Sequence, residues 1–304
     1  MQFPDPTDNY DVYLVGRYFT DLVFTRLPEM PRLSHEVYAR EFHMLPGGAA
    51  TPAIALTRLG LRVAWPCFFG SDAFSRQILS LVITEKIEPS FFHDLEKPAL
   101  HISVAFSFAD ERAFLSYADP LPDPPHEDLI RQTRPAWLYL ANLHIGEKIR
   151  RLAQAARGAG ARIYMDCQAQ PNRPSENELA EALSLVDVFS PNLEEARMLS
   201  GEQDMEKALM VLSGLAETVI IKLGADGCIC RQNNTTYRAP GISVSVVDTT
   251  GAGDNFNCGF LFGQINGFSL ADSLRIANIC GGLSVEGYGG ASTSPTREQV
   301  LALL

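Results

Sequence analysis

Apolar and polar positions along this chain follow two rhythms, and their order carries the first structural information. Residues 11–16, DVYLVG, form a short apolar run closed by a glycine and read as an opening strand. Residues 22–45 hold no helical period and contain Pro28 and Pro31, which predicts short strands joined by a loop. PGGAATPAIALTRLG (46–60) reads as a glycine turn, a helix and Gly60 as its terminator. LRVAWPCFFG (61–70) returns to strand character. Residues 101–118 are two strand-like runs around Ala109-Asp110-Glu111, a predicted hairpin, and DPLPDPPHED (119–128) reads as a connector.

From there strands and helices alternate. AWLYLANL, ARIYMD, VDVFS and TVIIKLG read as strands. EKIRRLAQAARGAG, ENELAEALSL, NLEEARMLSG and MEKALMVLSGL read as the helices between them. DGCICRQNNTTYRAP is a predicted hairpin turning at Asn233-Asn234, and GISVSVVD (241–248) a predicted strand leading into VDTTGAGDNFNCGF (247–260). The alternation predicts an α/β fold with a mostly parallel central sheet flanked by helices on both faces. Segments of about 19–45 and 99–118 stand outside it and are expected to form a small antiparallel β lid. A single domain over residues 1–304 is expected.

Composition narrows the partners. Hydrophobic residues make up 46% of the chain and charged residues 20%, enough for a sizeable core. The net charge of −11 and the lack of a basic stripe argue against nucleic acid, whose binding rests on Lys and Arg clusters. No run reaches the ~18 apolar residues of a membrane span. The start, MQFPDPTDNYDVY, has neither the basic segment nor the apolar run of a leader, so a cytoplasmic protein is expected. The six cysteines lack metal-ligand spacing and read as reduced and buried. The six histidines also lack it, and none receives a role.

The stretch 247–260 raises the chemistry. Ligands of parallel-sheet proteins sit beyond strand carboxyl ends, where loops enter helices. Free N–H groups and the helix dipole attract an anion there, and Gly251 and Gly253 let it approach the backbone. Asp254 then stands beside a bound phosphate, able to take a proton from an attacking hydroxyl. It equally fits a plain helix cap, worth ~1 kcal/mol. A dinucleotide fingerprint fails because Phe256 holds the position of its last glycine. The turn contains no lysine, so a phosphate would rest on backbone dipoles and metal.

DTTGAGDNFNCGF closely resembles the C-terminal signature of the ribokinase-like (PfkB) carbohydrate kinases. PGGAATPAIALTRLG, FGSDAFSRQIL, SPNLEEARMLSG, IIKLGADG and ANICGGLSVEGYGGASTSP resemble that family's other motifs in order, over nearly the whole chain. The resemblance implies an ATP-dependent sugar kinase with Asp254 as base and Gly251, Ala252 and Gly253 as its anion hole. It implies Mg²⁺ organised by Asn192 and Glu195, and nucleotide contacts from Asn192, Lys222, Gly224, Gly227 and Asn278. Asp248, Thr250, Ser284, Gly287, Gly289 and Thr293 match positions around a monovalent cation, K⁺, in members that it activates. Asp21, Gly47, Gly48 and Thr51 fall on the substrate side, with Arg112 on the lid. The family also implies a homodimer through the lid.

The departures other than Cys258, in the helix after the base, gather near the substrate: Thr51 in place of an asparagine, and Ser75 and Ser34 in place of glycines. The sugar is therefore open. A nucleoside kinase on the same scaffold, or a catalytically silent sugar- or nucleotide-binding protein, remains an alternative. Other readings compete residue by residue. Glu195 also fits a solvated helix face, Asp248 and Asp21 fit strand ends, and Arg112 fits a surface charge.

Overall fold

The computed structural model describes residues 9–108, 111–168 and 173–304, with the backbone alone at 107, 108, 111 and 112. The strands in chain order begin with β1 (Val12–Val15), β2 (Tyr18–Thr25), β3 (Glu41–Gly48), β4 (Val63–Ala64) and β5 (Cys67–Phe69). Then come β6 (Phe92–Asp94), β7 (His101–Phe108), β8 (Glu111–Ala118), β9 (Trp137–Leu140) and β10 (Arg162–Asp166). The last are β11 (Val188–Ser190), β12 (Thr218–Lys222), β13 (Cys228–Gln232) and β14 (Thr235–Ala239). The helices used below are α1 (Ala50–Arg58), α2 (Ala73–Thr84), α3 (His126–Thr133), α4 (Gly146–Gly158) and α5 (Glu176–Ser184). They continue with α6 (Leu193–Ser200), α7 (Met205–Ser213), α8 (Ala252–Ile265) and α9 (Leu270–Leu283).

The eight-stranded central sheet has the order β14-β13-β12-β11-β10-β9-β1-β4. It is parallel from β12 to β4 and antiparallel at the β12–β13–β14 edge, so the mostly parallel expectation holds. Its inner strands are apolar at successive positions because both faces are covered. Val12, Leu14, Tyr139, Tyr164 and Ile220 face one core with residues of α1, α8 and α9. Tyr13, Val15, Leu138, Met165 and Val219 face the other with residues of α3 to α7. Adjacent residues of a strand thus enter opposite cores, as the two-residue period requires.

The segments outside the alternation form a four-stranded sheet in the order β3-β2-β7-β8. Its two outer pairs are antiparallel, and a parallel β2–β7 pair joins them. The turn of the 101–118 hairpin lies outside the described residues. The Asn233-Asn234 turn holds, both residues having positive φ.

Three local expectations change. Residues 241–248 are not a strand, although Ile242, Val244 and Val246 alternate. Pro240 supplies no N–H, the chain crosses tightly against Gly227, and the N–H groups of Val247 and Asp248 go to the carbonyl of Val285. The 61–70 run is split into β4 and a separate β5, which pairs with β6. Helix α3 starts inside the expected connector, at His126, directly after Pro125.

Candidate active site

Residues from β10, β12, α6 and α8 meet at the carboxyl ends of the parallel strands. They line one side of a cleft of about 960 Å³, and residues of the lid line the other. Helix α8 opens from Gly251, whose φ of 73° is left-handed and whose side-chain cap is absent. A Cβ at Gly251 would stand 2.7 Å from the Cα of Gly290, so only glycine fits. Among the described residues, the N–H groups of Gly251 and Gly253 meet no protein acceptor. The N–H of Ala252 turns back on the carbonyl of Thr249 at 3.3 Å, so this member of the expected anion hole is partly engaged. Asp254 follows in the first turn of α8 and lines the cleft.

The floor beneath Asp254 is an ion pair that the turn's own sequence does not announce. Lys222, at the end of β12, donates from Nζ to Asp166 Oδ1 at 2.6 Å, with only 11% and 10% of the two side chains exposed. That ammonium stands 3.4 Å from where a Cβ of Gly253 would be, which corrects the expectation that no lysine serves this turn. Asn257, one helical turn beyond Asp254, accepts from Tyr164 Oη at 2.7 Å and donates to Asp166 Oδ2 at 2.7 Å. Sequence reading missed Asp166 and Asn257. The available signal for Asp166 was a carboxylate on the last residue of a parallel strand, where ligands bind.

Electrostatics follow from this crowding. Burial pushes the Asp254 carboxyl up to about 7; Asp166, Asp21 and Glu195 push the same way, and Lys222 opposes them. Burial, with Asp248 nearby, likewise raises Asp21 to about 7. Burial also works against the Lys222 ammonium, yet Asp166, Glu195 and Asp254 outweigh it and hold the amine protonated.

Asn192 and Glu195 form a reciprocal cap on α6. Asn192 Oδ1 accepts from Glu195 N at 2.9 Å, and Glu195 Oε2 accepts from Asn192 N at 2.8 Å. Glu195 is only 7% exposed, so the solvated-face alternative is wrong. Burial raises its carboxyl to about 7. Its Oε1 accepts nothing among the described residues, and both residues line the cleft.

Asp21, Gly48 and Gly224 also line it. Gly47 lies against Asp21 so closely that a Cβ would fall inside the carboxylate. Thr51, only 4% exposed, packs its methyl behind Gly251 and does not reach the lining. Asn278 does not reach it either: its amide donates to the carbonyls of Ala239 and Pro240 at 2.9 and 3.1 Å. Gly227 is held at the crossing of 227 and 239–241, outside the lining. The Arg112 side chain lies outside the described residues. His101, His126 and His144 line the cleft, a placement their sequence spacing did not signal.

The residues expected around a monovalent cation come together behind the turn. Asp248 accepts from Thr250 N at 2.9 Å, Thr250 Oγ1 at 2.8 Å and Gly289 N at 2.9 Å. Thr293 Oγ1 donates to the carbonyl of Ser284 at 2.5 Å and packs its methyl where a Gly287 Cβ would be.

The model of the pfkB family carbohydrate kinases matches residues 14–297. A ribokinase of Lactococcus lactis is 28% identical over 302 residues, covering 96% of each chain. A fructokinase of Escherichia coli is 26% identical, covering 84% of this chain and 90% of its own. Among solved structures, Arabidopsis thaliana ribokinase in complex with ribose and ATP has a TM-score of 0.81 at 21% identity, covering 97% of this chain and 98% of its own. The chain therefore belongs to the pfkB family of carbohydrate kinases, phosphotransferases that act on an alcohol group.

Proposed function

We propose that the chain transfers the γ-phosphate of ATP to a hydroxyl of a small carbohydrate, with Asp254 as the general base. One observation carries this reading: a carboxyl of pKa about 7, two unspent amides and a buried ammonium converge in a single cleft. The ribose and ATP bound by the Arabidopsis ribokinase support the same pairing here. Asp254 takes the proton as the acceptor oxygen attacks. The amides of Gly251 and Gly253, with Lys222, stabilise charge on the transferred group. Asp21 accepts hydrogen bonds from two neighbouring hydroxyls of the acceptor.

Mg²⁺ fits the donor set, because it favours oxygen ligands and keeps several waters, and Glu195 Oε1 is an unengaged carboxylate oxygen on the cleft. Bound there, it supplies charge neutralisation and alignment of the phosphates. The cluster around Asp248 is proposed to hold K⁺. One assay series tests both ions: Glu195→Gln should raise the Mg²⁺ needed for half-maximal rate, and a large quaternary ammonium ion in place of K⁺ should slow the wild type. An unchanged titration, or an unchanged rate, removes the corresponding ion.

ADP release across pentoses, hexoses, keto-deoxy acids and nucleosides tests the reaction itself. Turnover of any sugar supports it; silence across the panel favours the binding-protein reading. Phe19, Phe68 and Phe114 line the cleft and could stack a base, so turnover of nucleosides alone would promote the nucleoside reading. Asp21→Ala is expected to raise the acceptor KM by about 10- to 100-fold, the size of a lost hydrogen bond to a charged group, with the ATP KM steady. An acceptor KM within twofold of wild type would remove Asp21 from the substrate site.

The lid also exposes Phe42, Leu115 and Tyr117. We propose that a second copy covers them, as expected for unprotected sheet surfaces. A monomer by light scattering would sink this.

A further inference from the structure

The cleft has a second charged corner that phosphoryl transfer does not use. Arg17, on the turn from β1 to β2, donates from Nη2 to the carbonyl of Leu121 at 2.8 Å and stands 3.5 Å from Asp123. Lys148, in the first turn of α4, reaches the other oxygen of Asp123 at 2.7 Å. Two cations thus share one carboxylate, which leaves a positive corner in a chain whose net charge is −11. Only Nη2 of Arg17 is engaged among the described residues, so Nε and Nη1 retain donors. Helix α4 begins at Ile145 without a side-chain cap, which adds the positive end of a 13-residue helix.

All three side chains line the same cleft as Asp254. The corner stands by the ends of β1 and β9, and the Asp166–Lys222 floor stands at the ends of β10 and β12. From β10 to β1 is two strand spacings, about 10 Å. A monosaccharide with a charged end spans such a gap. The backbone of Arg17 is also tied to the substrate side, since its carbonyl accepts from Ala49 N at 2.8 Å and abuts Gly48.

We propose that the acceptor carries an anionic group, a carboxylate or a phosphate ester, which docks between Arg17 and Lys148 while its reacting hydroxyl lies at Asp254. This rests on the kinase reading and narrows its substrate class to acidic sugars. Guanidinium and ammonium groups around one shared carboxylate carry a net positive charge and suit such an anion through charge-assisted hydrogen bonds. A neutral sugar leaves the excess positive charge of that corner uncompensated.

The test uses the full chain with ATP and Mg²⁺, reading ADP release on matched acceptors: a neutral hexose, the corresponding sugar acid and the corresponding sugar monophosphate. The better acidic acceptor should exceed its neutral parent in kcat/KM by about 10- to 100-fold, the range of one or two charged hydrogen bonds. Preference for the acid or for the monophosphate supports the proposal and identifies the anion. Arg17→Gln and, separately, the more peripheral Lys148→Gln should each shrink that ratio, chiefly through the acidic acceptor's KM. Thermal midpoints would confirm that both variants fold. If the variants slow acidic and neutral acceptors by the same factor, the corner only latches the 119–125 segment and the proposal falls. Turnover of neutral acceptors alone overturns it and leaves the kinase reading standing. No turnover of any acceptor overturns the kinase reading, and this inference with it.

Discussion

Asparagine in place of Asp254 is expected to lower kcat by about 10²–10⁴, the usual worth of a positioned general base, with the KM for ATP nearly unchanged. The wild-type kcat/KM should rise with pH up to about 7 and then level, because that is where burial places the carboxyl. In Asp254→Asn this limb should vanish from the residual rate. Stability should move the other way. The folded carboxyl titrates at about 7, against a model value of 3.8, so between these values the folded state binds the extra proton. Its contribution to stability is therefore present in acid and is lost as pH rises through about 7. At pH 8 the charged side chain burdens the unliganded fold, and its amide replacement should raise the Tm; below 3.8 the two proteins should differ little. A kcat within about threefold of wild type would remove Asp254 from the base position.

Alanine in place of Lys222 should be the most destabilising single change in the site. It leaves Asp166 buried without its cation, and breaking a buried pair from one side typically costs about 3–5 kcal/mol. Methionine should behave similarly, since the loss is of charge and not of volume. Lys222→Met combined with Asp166→Asn should recover much of the stability, because no uncompensated charge remains. It should not recover activity: the ammonium beside Gly253 would still be missing, and a single stabilising donor of this kind is worth about 10²–10³ in kcat. Chemical denaturation of the four proteins of the cycle, with kcat for each, checks both halves. A stable double variant with wild-type kcat would reduce Lys222 to a structural role.

The two variants probe features of different legibility. Asp254 stood out in the chain because its environment is local: Gly251, Gly253 and the start of α8 are its immediate neighbours. The reciprocal cap of Asn192 and Glu195 was equally local, three residues apart, although its burial was not visible. Lys222 and Asp166 are 56 residues apart and become partners only when β12 and β10 take their places in one sheet. The same holds for Arg17 and Lys148, which no spacing connects.

Strand and helix periods, glycine turns and caps are short-range properties, and from them the chain alone determined its α/β class, the lid segments and the turn that carries Asp254. Where periodicity competed with long-range partners it misled. Residues 241–248 alternate as a strand does, yet their N–H groups are taken by Val285. Thr51 packs behind Gly251 and Asn278 donates to the carbonyls of Ala239 and Pro240, contacts that order along the chain does not specify. The charge that surrounds the reacting carboxyl, and the second basic corner of the cleft, were settled by the tertiary structure. Coulomb energy depends on separation in space and on burial, and neither is a function of distance along the chain.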